Sequence, residues 1–362
     1  VHTPDSPRAD KRGGNQMKRL ILLMITCYCL LPGHANTDIA SDSLLQVLQT
    51  LPHDTTRLST LNDIIKIEQN NYKCIQYSDT LMQEALKLKN DKYASLAAYY
   101  HLLYYYNRSE QDSVAKWIVR MEPYVQRSGL WDYFFDAQRF QIDLYTFTEQ
   151  YELAISEANK MKQKALNTNS NRGTVAAYQC LSNAYIGSQR WDEGLKALEE
   201  AYRLLPKKGN AVVHISVLSQ LISVTKEMKD NNRQLKYLQE LESVLRKFII
   251  DTPSLKDGFA DVFIFNEIFY AHYYLNTNQP LLAYSHIEKS KKYLTENTYF
   301  MYKVLYYDIY AEYYQSIKQY QQASAYIDTT LTMLKKDFTS DYAEQLLKQA
   351  KIWVEAADYN KA

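Results

Sequence analysis

Few side chains in this sequence could do chemistry, and they do not converge. Beyond residue 36 the histidines are His53, His101, His214, His272 and His286. A shared metal ion needs such ligands on one face at close spacing, and the nearest pair, His272 and His286, falls on different helices. The sequence carries no GxGxxG, no Walker loop, no HExxH and no GxSxG. Catalysis requires convergent polar groups, so no enzyme, cofactor or metal site is expected. Glu193, Glu199 and Glu200 read as a solvated helix face. Cys74 and Cys180 remain after any leader is removed, and they read as unpaired thiols packed in helix seams.

The elements carrying these residues are helices. Only nine glycines and eight prolines occur, too few for a turn-rich β fold. Tyrosine, at 33 copies, suits narrow helix–helix seams that bury the ring and leave the hydroxyl near water or a carbonyl. With 42 basic and 41 acidic residues the net charge is +1. No basic stripe marks a nucleic-acid footprint. Beyond the N-terminal region no apolar run reaches the ~18 residues of a spanning helix.

The helices repeat. In Val175–Lys208, Tyr178, Leu181, Ser182 and Tyr185 share one helix face at i, i+3, i+4 and i+7. A polar turn follows, then a helix carrying Gly194, Leu198 and Ala201, closed by Pro206. These residues resemble the tetratricopeptide repeat at positions 4, 7, 8, 11, 20, 24, 27 and 32, with Gly194 in place of alanine at position 20. The frame recurs with Tyr145, Tyr151 and Ala154, with Ala271, Tyr274, Ala283 and Ile287, and with Tyr307, Tyr310, Ala311, Tyr314, Tyr320, Ala323 and Ile327. Weaker copies centre on Ala115, with Tyr99 and Tyr106, and on Gln234. The copy near Cys74 is the least distinct. Position 20 thus falls near residues 115, 154, 194, 234, 283 and 323, a step near 40 with one near 49. The resemblance implies an all-α, right-handed superhelical solenoid of about seven helix hairpins. A single hairpin cannot bury its apolar face, so stacking supplies the stability. Residues 40–250 form a first block, 251–258 (Asp251, Pro253 and Gly258) a loop and joint between two halves, and 259–362 a second block that breaks off inside its last repeat.

In the resembled family, positions 5 and 9 of each first helix line the concave groove. Position 5 gives Tyr100, Arg139, Gln179, Ser219, Ile268 and Asp308. Position 9 gives Tyr104, Asp143, Asn183, Ser223, His272 and Glu312. His286 falls at position 23, away from that groove. A ladder that is polar but sheltered suits a protein or peptide ligand, or an extended glycan, and plain hydration of an open groove is the alternative. A carboxylate clamp is not expected, because only Arg139 and Asn183 could serve it and Asp143 opposes them.

Met17–Ala35 reads as a secretory signal peptide. Lys18 and Arg19 precede the apolar Leu20–Leu31, and Pro32, Gly33 and Ala35 prepare a cut before Asn36. Residues 1–16 read as an extension called upstream of the true start at Met17. The expected location is the periplasm. Exported arrays of this kind resemble the N-terminal halves of Bacteroides-type membrane-bound regulators. There a membrane helix follows the repeats, then a histidine kinase or helix-turn-helix output domain. That resemblance implies a sensor region with its membrane anchor beyond Ala362. A free-standing exported scaffold or adaptor of the cell envelope is the alternative.

Overall fold

The computed structural model describes residues 37–68, 72–205, 211–251, 257–334, 339–358 and 361. The expected upstream extension, residues 1–16, and the expected leader, residues 17–35, lie outside them. The described residues form helices and connecting turns, with no strand among them. The chain divides into two compact units, with the boundary between Pro206 and Lys207.

In the first unit, α1 (Thr37–Thr50) precedes four hairpins. These are α2 (Thr55–Glu68) with α3 (Lys73–Lys87), α4 (Asp91–Tyr106) with α5 (Gln111–Ser128), α6 (Trp131–Phe147) with α7 (Tyr151–Asn167), and α8 (Asn171–Gly187) with α9 (Trp191–Arg203). In the second unit, α10 (Ala211–Glu227) pairs with α11 (Asn231–Asp251), α12 (Ala260–Asn276) with α13 (Pro280–Lys291), and α14 (Phe300–Ser316) with α15 (Tyr320–Leu334), followed by α16 (Thr339–Glu355). Each unit is therefore a stack of helix hairpins. None of its described helices is long and apolar enough to cross a membrane.

The expected joint at 251–258 is not where the units part. α11 runs through to Asp251, and the Phe248 and Phe259 rings meet 4.6 Å apart across the connection to α12. That contact ties the α10/α11 hairpin to the helices after it.

Burial fixes the register. Cys74, Val114, Ala154, Gly194, Gln234, Ala283 and Ala323 all lie inside the crossing of their hairpin. The steps between them are 40 residues, except for 49 between Gln234 and Ala283. Ala115 is a correction: it is half-buried, and Val114, at 0% exposure, holds position 20 of that hairpin. The small residue next door had the right type but the wrong face. Cys74, in the faintest repeat, keeps the same register. Gly194 lacks a side chain for a steric reason, since a Cβ there would sit 2.6 Å from Cγ1 of Ile186.

The turns repeat as faithfully as the crossings. Just past the ends of the first helices, Ser109, Glu149, Gln189, Lys229, Asn278, Lys318 and Ala357 all have positive φ. The next amide donates back to the carbonyl of position 11, as in Gln150 N to Tyr145 O, Arg190 N to Tyr185 O, and Gln319 N to Tyr314 O, each 2.8 Å. This is the Schellman closure of a helix end. Glycine is the ordinary residue for that left-handed position, and none of these seven turns uses it.

Candidate functional site

Within each unit, the register places positions 5 and 9 of a first helix on one face, and position 6 of the following first helix opposite them. The structure buries this ladder. Tyr100, Arg139, Asp143, Gln179, Asn183, Ser219, Ser223, His272 and Asp308 are each at most 7% exposed. Tyr104 and Glu312 are half-buried. Much of the ladder is engaged by other residues of the same ladder, so an open, hydrated groove does not describe it.

Tyr100 and Tyr104 do not belong to the ladder. With Val114 at position 20, Tyr99 and Leu103 take positions 5 and 9 of α4. Tyr100, at position 6, donates its hydroxyl to Oδ1 of Asn62, 3.0 Å away on α2. Tyr104 lies under the guanidinium of Arg108, 3.4 Å from its ring centroid.

On α6, Arg139 and Asp143 are one turn apart, and Nη1 to Oδ2 is 3.8 Å. That is too long for a hydrogen bond, and Asp143 Oδ2 has no other partner. Burial pushes the Asp143 carboxyl up to about 6, against the opposing pull of Arg139. Cys180 faces this pair from α8. Burial first, and then the Asp143 carboxylate, push its thiol well above the usual range. Neighbouring Asp136 holds Arg172 of α8 at 2.6 Å. Gln179 and Asn183 flank Cys180 on α8 and have partners of their own.

In the second unit the ladder closes on itself. Ser223 donates its hydroxyl to the Ser219 carbonyl within α10, at 3.0 Å. On α14, Asp308 and Glu312 occupy the positions of Arg139 and Asp143. Lys348 of α16, in the place of Cys180, donates to both Asp308 oxygens at 2.6 Å and to Glu312 Oε1 at 2.9 Å. From α12, His272 Nδ1 lies 2.8 Å from Glu312 Oε2. Burial works to raise the Glu312 carboxyl, but His272 and Lys348 outweigh it and hold it well below the ordinary range. Burial likewise works against charge on Lys348, and Asp308 and Glu312 overcome it. Burial lowers the His272 imidazole from its ordinary value, with Glu312 pulling the other way. Lys226 of α10 adds a further positive charge near His272 and Glu312. Titratable side chains from four successive first helices thus gather in one cluster.

His286 is separate from this cluster. Its Nδ1 meets Glu267 at 2.7 Å, and its ring stacks on Tyr270 and Tyr274. Lys348 was missed in the sequence, whereas Cys180 is the unpaired, buried thiol expected there. The signal available was a lysine at position 6, where α6, α12 and α14 carry Phe140, Phe269 and Ile309.

No family model matches the chain, and no curated protein matches it. Among solved structures it is similar to a signal transduction ATPase with numerous domains (a STAND protein) that has a tetratricopeptide repeat sensor, from Pyrococcus horikoshii. The TM-score is 0.56 at 13% identity, over 97% of this chain and 52% of that one. The chain thus spans about half the length of that protein, and the likeness concerns the fold alone: a tetratricopeptide-like helical solenoid.

Proposed function

We propose that the chain is an exported protein-interaction module, serving as the periplasmic sensor region of a membrane-bound signal-transduction regulator. The observation that carries the reading is the fold. The recurrent residues at positions 8, 11 and 20 are all used in stacking hairpins, as in repeat modules that recognise other proteins or peptides. The solved neighbour, a STAND protein with a tetratricopeptide repeat sensor, supports a sensory use of such a stack. The leader-like Met17–Ala35 supports export. Partner binding would act by favouring one of two arrangements of the stack, which requires different affinities for the two.

The test has two parts. A fusion of residues 17–362 to a reporter active only outside the cytoplasm should be active, with Asn36 as its new N-terminus. An inactive, uncleaved fusion would end the export reading. The coding DNA past Ala362 should continue into an apolar stretch of about twenty residues and then an output domain. If the frame instead closes soon after, the free-standing envelope scaffold replaces the sensor.

A further inference from the structure

One carboxylate in the α6–α8 seam lacks what its counterpart in the second unit has. Asp143 is 3% exposed, and its Oδ2 accepts no hydrogen bond. Arg139, on its own helix, stops at 3.8 Å. From α8 it is faced by Cys180, a buried neutral thiol. Arg172, the cation that α8 supplies, is held by Asp136. From α4, Tyr99 lies in the field of Asp136 and Arg139 and brings no positive charge. A carboxylate sealed from water with an unmet lone pair is strongly disfavoured in its ionised form. It escapes either by holding a proton or by letting the seam open to water.

We infer that the α6–α8 seam of the first unit is a proton-gated joint, closed while Asp143 is protonated and loosened when Asp143 ionises. The direction follows from linkage. The folded carboxyl titrates at about 6, above its ordinary 3.8. The closed seam is therefore fully favoured below the ordinary value, and that advantage is lost as pH rises through about 6. The gate lies in the range that a compartment outside the cytoplasm can cross, and it joins the helices carrying Arg139, Asp143, Gln179 and Asn183.

Hydrogen exchange on the full chain at pH 5.0 and pH 7.5, corrected for intrinsic rates, tests the gate. Amides of α6 and α8 should be protected about tenfold more at pH 5.0, the ratio expected from a shift of this size. Amides of α14 should not share the change. In Asp143→Asn, which keeps the shape and removes the charge, α6 and α8 should be equally protected at both values. Equal protection of α6 and α8 in the unaltered chain would overturn the inference. So would a pH effect that survives Asp143→Asn. Should that variant fail to fold, the comparison of α6 and α8 with α14 in the unaltered chain still decides.

Discussion

The α6–α8 seam and the α14–α16 seam occupy the same register positions in the two units, and they reach opposite electrostatic states. At positions 5 and 9 the first has Arg139 and Asp143, and the second has Asp308 and Glu312. The residue that enters from the next first helix differs: Cys180 in one, Lys348 in the other. Lysine satisfies two carboxylates with three hydrogen bonds of 2.6–2.9 Å. The thiol leaves Asp143 Oδ2 with none. A repeat frame thus sets which side chains meet, and the charges at positions 5 and 6 together decide whether the meeting is an ion-pair lock or a strained carboxylate.

The comparison breaks most readily at Lys348. Lys348→Met leaves Asp308 and Glu312 facing each other without their cation. Removing one partner of a buried pair costs about 3–5 kcal/mol, and with Lys348 24% exposed the loss should be about 2–4 kcal/mol. It would be read as an earlier urea midpoint for the α14 amides. An unmoved midpoint would mean that the lock carries no stability. The opposite sign is expected at the other seam. Asp143→Asn should stabilise the first unit by about 1–3 kcal/mol at pH 7.5. That gain should fade as pH falls through about 6 and be gone near 3, where the unaltered side chain is protonated in both folded and unfolded chains. A gain independent of pH would assign the effect to packing.

A third change sharpens the comparison at position 20. Every hairpin of the first unit has Cys, Val, Ala or Gly there, whereas α11 has Gln234, fully buried with both amide atoms unpartnered. Its hairpin also replaces the usual tyrosine at position 11 with the buried Thr225, reversing the order of large and small. Gln234→Met should keep the volume, remove the unmet polar atoms and stabilise by about 1–2 kcal/mol. A loss in thermal denaturation would show that the amide has a partner in solution. The smallest effect should be shared by both units. Gln189→Gly and Lys318→Gly relieve the same left-handed turn, and each should add about 0.5–1 kcal/mol. Unequal gains would mean that the two turns are not equivalent.

Much of the hairpin stack was legible because its residue types repeat where they pack. Ala154, Ala283 and Ala323 mark the crossings, and Tyr145, Tyr185, Tyr274 and Tyr314 mark the helix ends whose carbonyls close the turns. Val114 was not legible, because a mid-sized residue inside the crossing sits beside an alanine outside it. The ladder was legible as a set of positions but not as a network. Lys348 lies 40 residues from Asp308, and nothing local distinguishes a lysine that reaches into a seam from one that reaches into water. The unit boundary was misplaced for a related reason. Asp251, Pro253 and Gly258 announce a loop, but the contact between Phe248 and Phe259 that spans it depends on how the two helices approach.

The most direct test of the contrast is a side-chain carboxyl titration by NMR, following Asp143 and Glu312 in one sample between pH 3 and pH 8. The account predicts that Asp143 titrates near 6, while Glu312 stays ionised to well below its ordinary value of 4.5. If the two titrate together near 4, positions 5 and 6 do not set their charge, and the contrast between the two seams is wrong.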